Sequence, residues 1–371
     1  MKRVRRVLVA ATAAVAVVAA PVAVAAAPEK PDRAESQRRL DEVVAVGAVG
    51  ALAEVRDEHG VWRGTSGVAA LDTTRAVPAH GRFRAGSITK TFLAVVVLQL
   101  VDDGLLRLDD TVEEWLPGVV PDGHLVTVRH LLDHTSGLYD VRRTLPMPPR
   151  PEFFANRWRT WTAAELVARA VAEPPAFEPP GRTFGYSNTN YVLLGQIVEE
   201  VTGESYGDEI ARRIIRPLPL PRTEMPGTSP FIRGPHSRGY VPVGEGSPPP
   251  LLDYTEMNPS VLGAGGELVS TASDLNRFFA ALLGGHLLPK HLLDEMRTPG
   301  IEDGRYGLGL TWRVTPCGIR VYGNDGDALT YQSWSFTTED RRRQVTVALT
   351  PDFRGDPDDA VDAFVDHAVC S

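Results

Sequence analysis

Apolar and polar positions change their spacing several times along the chain. Asp32 to Val44 places apolar side chains on one face of a helical repeat, which predicts an amphipathic helix. Val46 to Val55 and Val61 to Ala70 alternate or run apolar on either side of Asp57-Glu58-His59-Gly60, the pattern of a β-hairpin. Near Ser87 the repeat becomes helical. Phe92, Val95, Val96, Leu98 and Leu100 line a stretch too apolar for a surface helix, and it stops at Asp103-Gly104. Thr91 to Pro259 then reads mainly as helix, with candidates at Val128 to Asp133, Thr162 to Val171, Tyr191 to Thr202 and Tyr206 to Ile215. Proline clusters at Pro146 to Pro151, Pro174 to Pro180, Pro217 to Pro221 and Pro248 to Pro250 separate them. Beyond Ala264 a helix is predicted at Thr271 to Leu283. Tyr306 to Val314, Ile319 to Tyr322, Leu329 to Thr337 and Gln344 to Leu349 then read as strands, and Asp359 to Val369 as a closing helix.

Strands thus come from both ends of the chain and helices from the middle. The architecture that follows is α/β (α+β): an antiparallel sheet formed by both chain ends and flanked by helices, with an inserted all-helical domain. Residues 28–90 and 260–371 are assigned to the sheet domain and residues 91–259 to the helical one. No internal repeat is visible.

The first residues read as an export signal. Lys2, Arg3, Arg5 and Arg6 precede the Ala/Val stretch Val7 to Ala20, and Ala23-Val24-Ala25 offers a cleavage site, so residues 1–25 are assigned to a signal peptide. A membrane anchor is the competing reading; Pro21 and the weakly hydrophobic alanines count against it. A secreted protein with no membrane span after cleavage is expected, and a monomer. Net charge of −8 without a basic stripe excludes nucleic acid as a natural partner. Cys317 and Cys370 are the only cysteines, read most simply as one disulfide whose 53-residue loop would contribute on the order of 4 kcal/mol. Two free thiols are the other possibility. No His/Cys spacing suggests a metal and no glycine-rich loop suggests a nucleotide, so no cofactor is expected.

Ser87-Ile88-Thr89-Lys90 sets a hydroxyl and an amine one helical turn apart, at the start of the buried helix. Unpaired N–H groups and the helix dipole favour negative charge developing there, and Lys90 can take the hydroxyl proton if neutral. Taken alone, the same four residues also suit a helix cap followed by a surface lysine. Tyr186-Ser187-Asn188 follows a Gly/Pro-bounded loop. Tyr186 suits a proton shuttle if nearby cations lower its pKa, and Asn188 suits a substrate amide.

In this order the two motifs resemble the penicillin-recognising enzymes, whose pattern is Ser-x-x-Lys, Ser-Asp-Asn and Lys-Thr-Gly. The Tyr-Ser-Asn variant is similar to class C β-lactamases and secreted D-alanyl-D-alanine carboxypeptidases. Phe83-Arg84-Ala85-Gly86-Ser87, His134-Thr135-Ser136-Gly137-Leu138, Tyr186 to Tyr191 and Tyr306-Gly307-Leu308-Gly309-Leu310 look like family segments, and the likeness runs from about Asp41 to Cys370. It implies that Ser87 is acylated, that Lys90 and Tyr186 move protons, that Asn188 binds the acyl-side amide, and that the N–H groups of Ser87 and Asp327 form the oxyanion hole. His134 is read as structural.

The third motif departs from the pattern. Gly323-Asn324-Asp325-Gly326 replaces the basic residue by Asn324, expected to bond to Tyr186 or Ser87, and places Asp325 and Asp327 where a substrate carboxylate would be held. Thr311 stands where an arginine is expected, leaving Arg313 and Arg320 as candidate cations, and Pro259-Ser260-Val261 replaces a tryptophan-bearing loop. The expectation is a secreted serine hydrolase acting on D-amino-acid peptides, small or peptidoglycan-derived, with β-lactams as possible inhibitors. An esterase, amidase or D-aminopeptidase on the same scaffold is the alternative, because Asp325 and Asp327 favour a neutral or cationic leaving side. A non-catalytic binder of cell-wall peptides or β-lactams would be expected to have lost Ser87, Lys90 or Tyr186, and all three are present.

Overall fold

Among the described residues, ten strands are interleaved with helices. The structure, a computed structural model, describes residues 33–371 apart from Glu245 and Asp303. The expected signal segment, residues 1–25, lies outside the described residues. Strands β1 (Ala48–Asp57) and β2 (Gly60–Gly67) form the expected hairpin. Short strands β3 (Phe83–Arg84) and β6 (Val269–Ser270) pair with each other, as do β4 (Tyr240–Pro242) and β5 (Leu251–Asp253). Strands β7 (Thr311–Val314), β8 (Arg320–Asp327), β9 (Gln332–Thr338) and β10 (Gln344–Pro351) complete an antiparallel sheet of order β2-β1-β10-β9-β8-β7.

Both sheet faces are covered, which is why β1 runs apolar rather than alternating. Ala51, Ala53, Val55, Val321 and Val347 pack under the terminal helices Arg33–Gly47 and Asp358–Cys370, against Leu40, Val43, Phe364 and Val365. Residues of the other parity, Leu52, Tyr322 and Ala348, join the large core around Phe278 and the helix Ile88–Asp102. In that helix Phe92 stacks on Phe278 of Ala272–Leu283 with ring centroids 3.7 Å apart. The active-site helix is therefore fixed to the layer that covers the sheet. Cys317, in the turn between β7 and β8, is disulfide-bonded to Cys370 at the end of the last helix.

Several elements differ from the sequence reading. The segment 91–259 is not all-helical, because β4 and β5 form a two-stranded ribbon within it. Tyr306 to Leu310 is loop: Gly309 has φ +74°, and a Cβ there would come within 2.5 Å of Ala94 Cβ. The helix from Tyr206 is α-helical to Ile210 and continues as a π-turn over Ala211–Ile215. Lys290–Arg297 is a helix that the sequence reading did not include. Among the described residues, no helix is long and apolar enough to cross a membrane.

Phe278→Ala should cost about 3–5 kcal/mol, read as a lower urea midpoint with an unchanged m-value, because the stacked partner on Phe92 disappears from a buried site.

Candidate active site

Ser87 precedes the first residue of the buried helix, with φ −62° and ψ −10°. Its hydroxyl makes no capping bond and stays available for chemistry. The turn leading into it is tight. Gly86 has φ +55°, and a Cβ there would lie 2.7 Å from Asp327 N. A Cβ on Gly326 would lie 2.0 Å from Ala85 O. Only two glycines let the end of β8 and the start of the helix approach this closely. The approach sets the Asp327 backbone beside the Ser87 N–H, which makes no hydrogen bond among the described residues. This is the main-chain arrangement expected of an oxyanion hole.

Lys90 is fully buried, and its Nζ has three oxygen neighbours: Ser87 Oγ at 3.0 Å, Asn188 Oδ1 at 2.8 Å and Gly265 O at 2.7 Å. A neutral amine has two protons and one lone pair. Donation to Asn188 Oδ1 and Gly265 O leaves the lone pair for the Ser87 hydroxyl. Burial, followed by the charge of Arg142, brings the Lys90 pKa down to about 7, while Asp140 and Asp325 oppose the shift. Asn188 is held in turn by Asp140, whose Oδ1 accepts from Asn188 N at 3.0 Å and from Asn188 Nδ2 at 3.1 Å.

Tyr186 OH lies 2.7 Å from Ser87 Oγ. Burial pushes its pKa well above the usual phenol value, and Tyr306 and Asp325 add to the effect against Ser87 and Arg142. The expected lowering by cations does not occur, which leaves Tyr186 a neutral phenol able to donate a proton, while the Lys90 lone pair is free to accept one. His134 lies behind Tyr186 with ring centroids 4.3 Å apart, and its Nδ1 accepts from Ser187 N at 3.2 Å. Burial holds its pKa well below the usual imidazole value. Neutral and buried, His134 orients the Tyr186-Ser187 loop.

β8 separates the third motif by parity. Asn324 shares a side with Tyr322 and faces the helix Ile88–Asp102, donating from Nδ2 to Thr91 Oγ1 at 3.1 Å. It does not bond to Tyr186 or Ser87 as expected, because strand alternation turns it beneath the site. Asp325 lies on the opposite, exposed side and makes no ion pair among the described residues. Its pKa is raised first by desolvation; Lys90 opposes the shift, while Asp362 and Asp327 add to it. Asp358, at the start of the last helix, is likewise raised by burial and by neighbouring carboxylates that include Asp325. Asp327 Oδ1 accepts from Leu329 N at 2.7 Å.

The cations proposed from sequence are elsewhere. Arg313 pairs with Asp366 at 2.7 Å and Asp362 at 3.4 Å, and Arg320 stacks on Trp312. The cation at the site is Arg142, which the sequence reading missed; its Nη2 lies 4.0 Å from Asp327 Oδ2. Asp140, Tyr306 and the Gly265 carbonyl were missed as well. Asp140 and Arg142 follow the His134 to Leu138 segment, but an isolated Asp-Val-Arg carries no signal of its own, and a carbonyl carries none. The described residues hold no group of side chains suited to a metal ion.

Comparison with known proteins gives the chain's family and its relatives. The family model described as Beta-lactamase matches residues 37–370. Over 292 residues the chain is 30% identical to Penicillin-binding protein 4* of Bacillus subtilis (strain 168), a match that covers 75% of this chain and 62% of that relative. The crystal structure of a D-stereospecific amidohydrolase from Streptomyces sp. is 40% identical, with a TM-score of 0.82 over 90% of this chain and 98% of that one. D-amino acid amidase from Ochrobactrum anthropi SV3, in complex with L-phenylalanine amide, is 28% identical, with a TM-score of 0.77 over 90% and 97% of the two chains.

Gly86→Ala should fold but lose acylation by at least about a hundredfold, the scale of removing an oxyanion donor, measured as the rate of fluorophosphonate labelling of Ser87. Acylation should fall as pH drops through about 7, as Lys90 gains its proton. Arg142→Met removes a repelling cation and should move this limb to higher pH in the same assay; an unmoved limb would exclude electrostatic coupling between the two.

Proposed function

The chain belongs to the Beta-lactamase family, and from that premise we propose that it is a serine hydrolase of D-amino-acid amides and related D-peptides with a neutral or cationic leaving side. Ser87 attacks the amide carbonyl while Lys90 takes its proton, and the oxyanion develops against the N–H groups of Ser87 and Asp327. Tyr186 protonates the leaving amine. Water then attacks the acyl-Ser87 ester with the same groups in reversed roles, releasing the acid and restoring the serine.

One observation carries the choice of substrate. Asp325 stands one residue before Gly326, which abuts Ala85 ahead of the nucleophile; it makes no ion pair among the described residues, Asp358 and Asp362 are near it, and the neutral Asn324 is buried on the other side of the strand. A substrate with a free C-terminal carboxylate meets repulsion there, whereas a carboxamide or an ammonium does not. The names of the two similar crystal structures, an amidohydrolase and an amidase, support the reading. D-alanyl-D-alanine carboxypeptidase activity is the second reading. Arg142 favours it, as the one cation seen near Asp327 among the described residues. Export through the N-terminal segment is part of this proposal, and the Cys317–Cys370 disulfide accords with an oxidising compartment.

D-alanine amide should be hydrolysed with kcat/KM at least about tenfold above that for an acyl-D-Ala-D-Ala peptide, the scale of like-charge repulsion, and Asp325→Thr should narrow the gap. Equal or faster cleavage of the free-acid peptide by the wild type, absent in Ser87→Ala, would replace the amidase reading by the carboxypeptidase one.

A further inference from the structure

One recess of the protein contains none of the catalytic side chains. It lies between the segment that follows β2 and the loop that leads into β4, and it holds about 250 Å³ of free space. Arg75, Arg238 and His236 supply its charged and titratable walls, with Pro78, Gly234 and Pro235 among the others. Main-chain bonds fix the two walls against each other. Arg238 N donates to Ala69 O at 2.7 Å, Ala69 N to Arg75 O at 2.7 Å, and Arg82 N to Pro235 O at 2.8 Å. The loop is held from within as well: Tyr331 OH donates to Ser237 O at 2.6 Å, and Arg84 Nη2 to Pro230 O at 2.8 Å.

No carboxylate lines the recess. Asp253 pairs with Arg238 at 3.3 Å, Glu224 pairs with Arg82 at 3.2 Å, and Asp72 acts on the neighbouring Tyr240. Arg75 is exposed and makes no ion pair or side-chain hydrogen bond among the described residues. Arg84 is fully buried, with Nε and Nη1 unpartnered; Tyr331 and Glu267 act on its charge, and neither is bonded to it. His236 feels three of these guanidiniums. Burial first, then the charges of Arg238, Arg75 and Arg84, hold its pKa below the usual imidazole value, while its bond to Gly234 opposes them. That bond fixes the tautomer. Gly234 O, 2.8 Å from Nδ1, can only accept, so Nδ1 carries the proton of the neutral ring. A second proton goes to Nε2 and makes it a donor.

We propose that this recess binds a phosphate group, free or carried on a small monoester, between Arg75, Arg238 and a protonated His236. The inference makes no use of Ser87 and stands apart from the amidase reading. Guanidinium forks match pairs of phosphate oxygens, and an imidazolium N–H takes one more. A carboxylate, with two oxygens, satisfies fewer of these donors. The bound anion pairs the arginine that the fold leaves unpaired and offsets the like charges around His236. Binding therefore takes up one proton, at His236 Nε2. A recess of this size is larger than a single phosphate group, so it leaves room for the carbon chain of a small ester.

The test titrates the protein with inorganic phosphate at an ionic strength held constant with chloride. Proton–nitrogen spectra of isotope-labelled histidine follow the rings, His236→Gln identifies the His236 signals, and calorimetry gives the affinity. The Nε2 signal should move saturably toward its imidazolium position. Arg75→Gln should weaken binding about tenfold, the scale of one lost hydrogen bond to a charged group, while fluorophosphonate labelling of Ser87 stays unchanged. With sulfate, whose charge is constant over the imidazole range, affinity should rise as pH falls through that range, because the anion favours the protonated ring. Tighter binding of glycerol phosphate than of phosphate assigns the recess to a monoester, and weaker binding assigns it to the free ion. Movement no larger than chloride alone produces, or an affinity unchanged in both Arg75→Gln and Arg238→Gln, overturns the site.

Discussion

A lysine amine buried without a carboxylate bonded to it is the constraint on which this site depends. Removing an ammonium from water without a counter-charge is costly, and a buried amine escapes that cost by giving up its proton. Most of what surrounds Lys90 serves that outcome, against the opposing charges of Asp140 and Asp325. The helix that carries it is buried along most of its length, its two acceptor partners are neutral oxygens, and the largest charge effect on it is that of the cation Arg142. The neutral amine is thus produced by packing, and His134, behind Tyr186, makes no bond to Ser87 or Lys90. The same packing keeps His134 and Tyr186 uncharged, so the proton inventory of the site at neutral pH follows from burial rather than from ion pairs.

Close backbone contact is the second requirement. Gly86 and Gly326 let a strand end and a helix start touch, and the nucleophile sits at that touch. The fold explains why both are needed. β8 belongs to the sheet and the Ser87 helix to the layer over it, where the Phe92–Phe278 stack ties that helix to the neighbouring helix Ala272–Leu283. A wider gap would admit water where the oxyanion donors must converge.

The hairpin, the antiparallel strands from both ends and the buried helix were legible in the sequence because each obeys a period set by burial. The Ser87, Lys90 and Tyr186 constellation was legible because its residue types and order are distinctive. What escaped had other causes. The β4–β5 ribbon rests on three-residue strands, too short for any periodicity. Tyr306 to Leu310 has strand-like composition, but its glycines bend it against the active-site helix. Asn324 was read as part of the third motif, just beyond the predicted strand Ile319 to Tyr322, and was given the wrong neighbours: β8 runs on to Asp327, and a motif read as a string conceals that successive side chains face opposite ways. Arg142 reaches the site from a loop whose sequence carries no chemistry, and no spacing rule could have chosen it over Arg313 and Arg320.

The pairing of β1 with β10 has a consequence for how the molecule comes into being. Thr350 Oγ1 donates to Gly50 O across 300 residues of sequence, in the middle of the sheet. Neither the β1–β2 hairpin nor the helices made after it can complete that sheet while β10 is still being synthesised. The emerging chain must therefore keep an unpaired strand edge open for most of its translation. Such a chain remains loosely structured late in its synthesis, and it depends on its last hundred or so residues, or on chaperones, for protection from aggregation.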